Sequence, residues 1–136
     1  MWNGTTWRVQ STPNPTGAKY AYLNAVSCSA SNACEAVGDY STKANYLTLA
    51  EVWNGTTWRI QRSINRPGKN ESSVLGGISC TARNACEAIG SYFNTNTYSD
   101  GSSLAEQRSH DSAAHRELQN VRRAAAPAAG SCSIHQ

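Results

Sequence analysis

A chain of 136 residues with 15% charged side chains and a net charge of +3 holds one domain's worth of core at most. That balance argues against a nucleic-acid surface and against an acidic disordered tail, so no nucleic-acid partner is expected. No apolar run is long enough to span a bilayer, and the N-terminus lacks the basic end and apolar core of a signal peptide. If the protein is exported, its signal lies outside this chain.

The first element is Trp2-Asn3-Gly4-Thr5-Thr6-Trp7-Arg8. It recurs as Trp53-Asn54-Gly55-Thr56-Thr57-Trp58-Arg59, 51 residues on (53 − 2). Asn-Gly between strand-favouring residues is a strong hairpin signal, because a type I′ turn needs φ > 0 at both central positions. Each copy therefore reads as two antiparallel strands joined at Asn-Gly. Pro13 and Pro15 follow the first hairpin and Pro67 the second. Proline ends strand pairing there and lets the chain cross to the next unit.

Between the two hairpins lies one complete unit of four strands. Strand a is expected over 23–28, b over 33–40, c over 46–53 and d over 56–62. A short polar loop over 29–32 joins a to b and sets Cys28 and Cys34 across its mouth. The next unit repeats this order. Leu75-Gly76-Gly77-Ile78-Ser79-Cys80 matches Leu23-Asn24-Ala25-Val26-Ser27-Cys28. Asn84-Ala85-Cys86-Glu87-Ala88-Ile89-Gly90 matches Asn32-Ala33-Cys34-Glu35-Ala36-Val37-Gly38, and Leu104-Ala105-Glu106 matches Leu49-Ala50-Glu51. A period near 50 residues with about four strands per unit is the mark of a propeller blade or a related array.

The expected fold is thus all-β. It consists of antiparallel four-stranded, propeller-blade-like repeats, about two blades' worth, with an irregular or partly helical C-terminal tail. Residues 1–22 form a partial repeat, 23–74 a complete one, 75–106 the first three strands of another, and 107–136 the tail. Both ends are expected to interrupt a longer array. Met1 aligns with Val52, inside a strand c, and the hairpin due after Glu106 never comes, as an out-of-frame continuation would produce.

A two-residue turn would set Trp53 opposite Thr56, Glu51 opposite Trp58 and Leu49 opposite Ile60. These share a bulky face, and Ala50, Val52, Thr57 and Arg59 share a small one. Such a sheet suits stacking on copies of itself, large face against small. The motif tryptophans are core residues on this reading. As the alternative, Trp53 and Trp58 form a sugar-stacking platform with Glu51 accepting a sugar hydroxyl.

Four of the five cysteines form two C-x5-C pairs, Cys28/Cys34 and Cys80/Cys86. In a small polar β-protein this favours disulfides and an oxidising compartment. A zinc site is not expected, since the spacing is wrong and no His lies near either pair. Nucleophilic catalysis needs a base, and the repeats contain no His. Glu35/Glu87 and Glu51/Glu106 are carboxylates at equivalent positions, which suits structure or repeated binding better than a unique acid–base pair. No phosphate-cradling glycine loop is present, and no cofactor, metal or catalytic residue is expected. In the tail, residues 113–126 offer a basic helix through Arg116, Arg122 and Arg123, and His110, His115, Cys132 and His135 a weak metal set. A marginal helix followed by disorder is the expectation there.

The combined pattern resembles a tandem repeat of secreted bacterial, especially actinobacterial, proteins. Its hallmark is W-N-G-T-[ST]-W, a proline-bearing crossover, then V-S-C-x5-C-x-A-V-G. The resemblance covers residues 2–106 and implies a β-propeller-like scaffold outside the cell or at its surface. Gly55-Thr56-Thr57-Trp58 is similar to the second half of the Asp-box of sialidase-type propellers, without its aspartate. The run from Glu51 to Trp58 also resembles hairpins of small fucose-binding propeller lectins, which close a ring by trimerising. These likenesses imply a non-enzymatic binding or adhesion scaffold. They leave two alternatives, a lectin that closes a propeller by oligomerising and a piece of a larger secreted enzyme such as a glycosidase. The partners implied are a cell-surface glycan or protein, and further repeats or further copies of the chain.

Overall fold

A computed structural model describes residue 1 and residues 4–96 and 102–108. The remaining tail, with its basic-helix and metal readings, lies outside the described residues. Among the described residues seven strands form: β1 (Tyr20–Ala30), β2 (Ala33–Ser41), β3 (Tyr46–Trp53), β4 (Trp58–Gln61), β5 (Glu71–Ala82), β6 (Ala85–Asn94) and β7 (Ser102–Arg108). The fold is all-β. One antiparallel sheet has the order β1-β2-β3-β4 and the other β5-β6-β7. Strands a to d of the complete unit are β1 to β4, and strands a to c of the next are β5 to β7. Gln107 and Arg108, read from sequence as the start of the tail, close β7 against Glu87 and Cys86.

The two sheets share their irregularities. Both first strands slip register twice, at Leu23/Ala25 and Cys28/Ala30 and at Leu75/Gly77 and Cys80/Ala82. These bulges were not legible in the sequence, but their cause is. Gly38 and Gly90, the last residue of each A-[VI]-G, sit against the first bulge. A Cβ on Gly38 would collide with the Tyr22 carbonyl and Leu23, and one on Gly90 with the Val74 carbonyl and Leu75. Only glycine lets the bulged backbone come so close. The second bulge takes up part of the loop expected over 29–32. Ala30 pairs with Ala33, so the turn is Ser31-Asn32 alone.

The c–d hairpin differs from the expected two-residue turn. Trp53 pairs with Trp58, Val52 with Arg59, Glu51 with Ile60 and Ala50 with Gln61. The loop is four residues long because the Asn54 side chain organises it. Asn54 Oδ1 accepts the N–H of Thr56 and of Thr57, both at 2.9 Å, and Gly55 supplies a φ of 99°. The register moves by two residues. An even shift leaves every side chain on the face expected of it.

The sheets then stack large face against small. Ala25, Val37 and Ala50 come from the small face of the first sheet. They pack on Leu75, Ile78, Ala88 and Leu104 from the large face of the second. β5 is the strand that lies against β1, β2 and β3. Backbone polar groups at the seam find side-chain partners: Ser27 Oγ accepts the Cys80 N–H at 3.0 Å and Ser72 Oγ the Tyr46 N–H at 3.0 Å. The crossover from β4 to β5 is tied back at buried Thr48, whose N–H donates to Asn65 Oδ1 at 2.8 Å. Arg66 lies 4.2 Å over the Tyr92 ring.

Candidate functional site

The Trp53–Trp58 pair forms where β3 and β4 meet the Asn54 loop. Their rings are 5.6 Å apart and tilted by 42°, an arrangement favoured by the aromatic quadrupole. The N-terminal segment lies beside them. Trp58 Nε1–H donates to Gln10 Oε1 at 3.1 Å, which directs the indole polar edge at a side chain and leaves ring surface toward an open groove of about 500 Å³. Thr56, Thr57, Ser11 and Thr12 add hydroxyls to that groove. The site therefore offers aromatic surface ringed by neutral hydrogen-bonding groups.

Glu51 is on the same face but does not line this groove. It is 1% exposed, and its Oε2 has no hydrogen-bond partner. Desolvation raises its carboxyl from 4.5 to about 7, because burial disfavours the charged form. The repeat explains the missing partner. Its equivalent, Glu106, receives the N–H of Ile64 on Oε2 at 3.3 Å. Counting back by the 51-residue offset of the hairpins (64 − 51), the residue matching Ile64 is Pro13. Proline has no N–H to give. Sequence reasoning reached Glu51 through its position in the repeat and missed the consequence of Pro13.

The N-terminal hairpin copies the β3–β4 pairing. The Arg8 N–H donates to the Met1 carbonyl at 2.8 Å and the Met1 ammonium to the Arg8 carbonyl at 2.6 Å. Met1 thus faces Arg8 as Val52 faces Arg59. Trp7 and Val9 stand exposed. They border a second groove, of about 510 Å³, whose other wall is the β1 margin of the large face, with Leu23, Val26 and Cys28.

Both disulfides form, Cys28–Cys34 and Cys80–Cys86. Each links residues directly opposite in its ladder. They fix hairpin register and suggest an oxidising, extracellular-type environment. The ligand atoms of Glu35, Cys80 and Cys86 lie within 4.8 Å of one another. With the two sulfurs bonded to each other, no thiolate is left to hold a metal. Glu35 instead covers the Cys80–Cys86 bridge from the facing sheet. Among the described residues no helix is long and apolar enough to cross a membrane. No family model, curated protein or solved structure matches the chain.

Proposed function

We propose that the protein is a non-enzymatic, extracellular or cell-surface scaffold of stacked propeller-like β-repeats, acting by binding or adhesion. The observation that carries this reading is the stack itself. Two equivalent sheets join large face to small, while the loops and outer faces remain for partners. The disulfides support the extracellular placement, and the resemblance to secreted W-N-G-T-[ST]-W repeats supports the array. A cell-surface glycan or protein is the partner class such a surface serves, with further repeats as its structural neighbours. The test is binding of labelled full-length, oxidised protein to intact bacterial cells and purified surface polymers. Saturable binding without chemical change of the polymer is expected. Turnover of a glycoside or peptide substrate would refute the non-enzymatic assignment.

A second reading, carbohydrate recognition, is favoured by the groove at Trp53 and Trp58. Its aromatic pair and surrounding hydroxyls suit a neutral sugar ring. On this reading Trp58→Ala lowers glycan affinity about tenfold, which is ~1.4 kcal/mol, with the far-UV spectrum unchanged. Equal affinity of the variant and the parent on a glycan array would exclude the groove as the site.

A further inference from the structure

The two sheets are equivalent, so each residue on one has a counterpart on the other, and the pairs differ sharply in exposure. On the large face, Leu75 of the second sheet is 1% exposed and its counterpart Leu23 is 39% exposed. Ile78 is half-buried, whereas its counterpart Val26 is 60% exposed. On the small face the order reverses. Val37 of the first sheet is 1% exposed and its counterpart Ile89 is 59% exposed. Ala50 is buried and Ala105 exposed. Glu35 is buried over the Cys80–Cys86 bridge, while Glu87 is exposed and Cys28–Cys34 borders the open groove. The chain therefore displays at its two ends the two halves of the interface it already makes internally.

We infer that a second copy of this chain docks head to tail. The small face of its β5-β6-β7 sheet seats on the large face of the first copy's β1-β2-β3-β4 sheet. The inference rests on the stacked-repeat reading and names its partner. The internal interface dictates the packing. Ile89 enters the groove beside Val26 as Val37 does beside Ile78. Glu87 covers Cys28–Cys34 as Glu35 covers Cys80–Cys86, and Ser79 receives the Cys28 N–H as Ser27 receives that of Cys80. The contact is heterologous: each copy uses two different surfaces, and the association closes as a ring or continues as a stack.

The test is light scattering coupled to size exclusion on the full-length, oxidised chain, with Cys132→Ser as background to prevent stray cross-links. The parent is expected to run as an oligomer. Val26→Asp removes one surface and Ile89→Asp the other, so each variant alone is a monomer. Mixed one to one, they form a dimer of twice the monomer mass that grows no further, because each supplies the surface the other has lost. If either Asp variant loses its far-UV spectrum, Val26→Ser and Ile89→Ser trim the same contacts without adding charge. A monomeric parent, a single variant that still dimerises, or a mixture that stays monomeric each overturns the inference. Monomers that still bind surface polymers would reject the interface and leave the scaffold reading standing. Oligomers that bind nothing would do the reverse.

Discussion

Replacing Glu51 by glutamine isolates the cost of a buried carboxyl that has lost a donor. The side chain is 1% exposed and Oε2 is without a partner, so the native state resists its ionisation and the carboxyl titrates near 7 rather than 4.5. Below about pH 4.5 the folded and unfolded chains both hold the proton, and the shift costs nothing. Between 4.5 and about 7 the unfolded chain ionises while the native chain keeps its proton, so stability falls as pH rises. Above that range the cost is constant, at about 3 kcal/mol. Against a typical total of roughly 5–15 kcal/mol this is a large term. Glu51→Gln keeps the shape and cannot ionise. The expected result is equal stability of parent and variant at pH 4.5, with a gap that opens to about 3 kcal/mol in favour of the variant by pH 8. Urea unfolding followed by tryptophan fluorescence, at matched protein concentration across that range, reads the difference curve. A gap that does not change with pH, or one that favours the parent at pH 8, would refute the reasoning.

Three further perturbations follow from the packing. Gly38→Ala forces a methyl into the Tyr22–Leu23 backbone and is expected to cost at least 1–3 kcal/mol; a thermal melt unchanged from the parent would deny the close approach. Each disulfide closes a sequence separation of 6, for which chain entropy gives about 2 kcal/mol. The Cys28→Ser/Cys34→Ser double variant should therefore stay folded, with a loss of that order in urea unfolding. Val37→Ala and Ile89→Ala change equivalent positions, one buried and one exposed. The first is expected to cost about 2 kcal/mol and the second under about 0.5 kcal/mol at concentrations where the chain is a monomer; equal losses would contradict the stacking order.

The strand order, the four-strand unit and the choice of faces were legible in the sequence because they follow from rules of period two and from internal duplication. Every strand of both sheets contains residues assigned to a strand, and the cysteines meet across β1–β2 and β5–β6 as their spacing suggests. What escaped depends on single atoms. Asn54 offers one carboxamide oxygen to two backbone donors, and this lengthens the turn from two residues to four. Asn-Gly signals a turn without fixing its length. The bulges in β1 and β5 escaped a strict period-two reading: the extra residue puts Leu23 with Val26, and Leu75 with Ile78, on one face at a spacing of three. At the candidate site, the meeting of Trp53 with Trp58 depended on that turn length, and the contact from Gln10 spans a separation no local pattern reports.

A duplicated sequence does not give duplicated environments. Leu23 and Leu75 occupy the same place in equivalent sheets, yet only Leu75 has a neighbouring sheet over it. In stacked arrays the interface between units supplies a large share of the stability, so the energy assigned to a residue is a property of its neighbour as much as of its own position. The same logic sets Glu51 apart from Glu106. Their strands are alike, and what differs is the crossover sequence, where Ile64 donates to Glu106 and the residue matching Ile64 one repeat earlier is Pro13. A unit at the end of such a stack carries the full apolar face of an interior one without the sheet that would cover it. Its exposed edges and faces then either meet another copy or pair unselectively. The small charged fraction and net charge of this chain leave little repulsion to oppose that association.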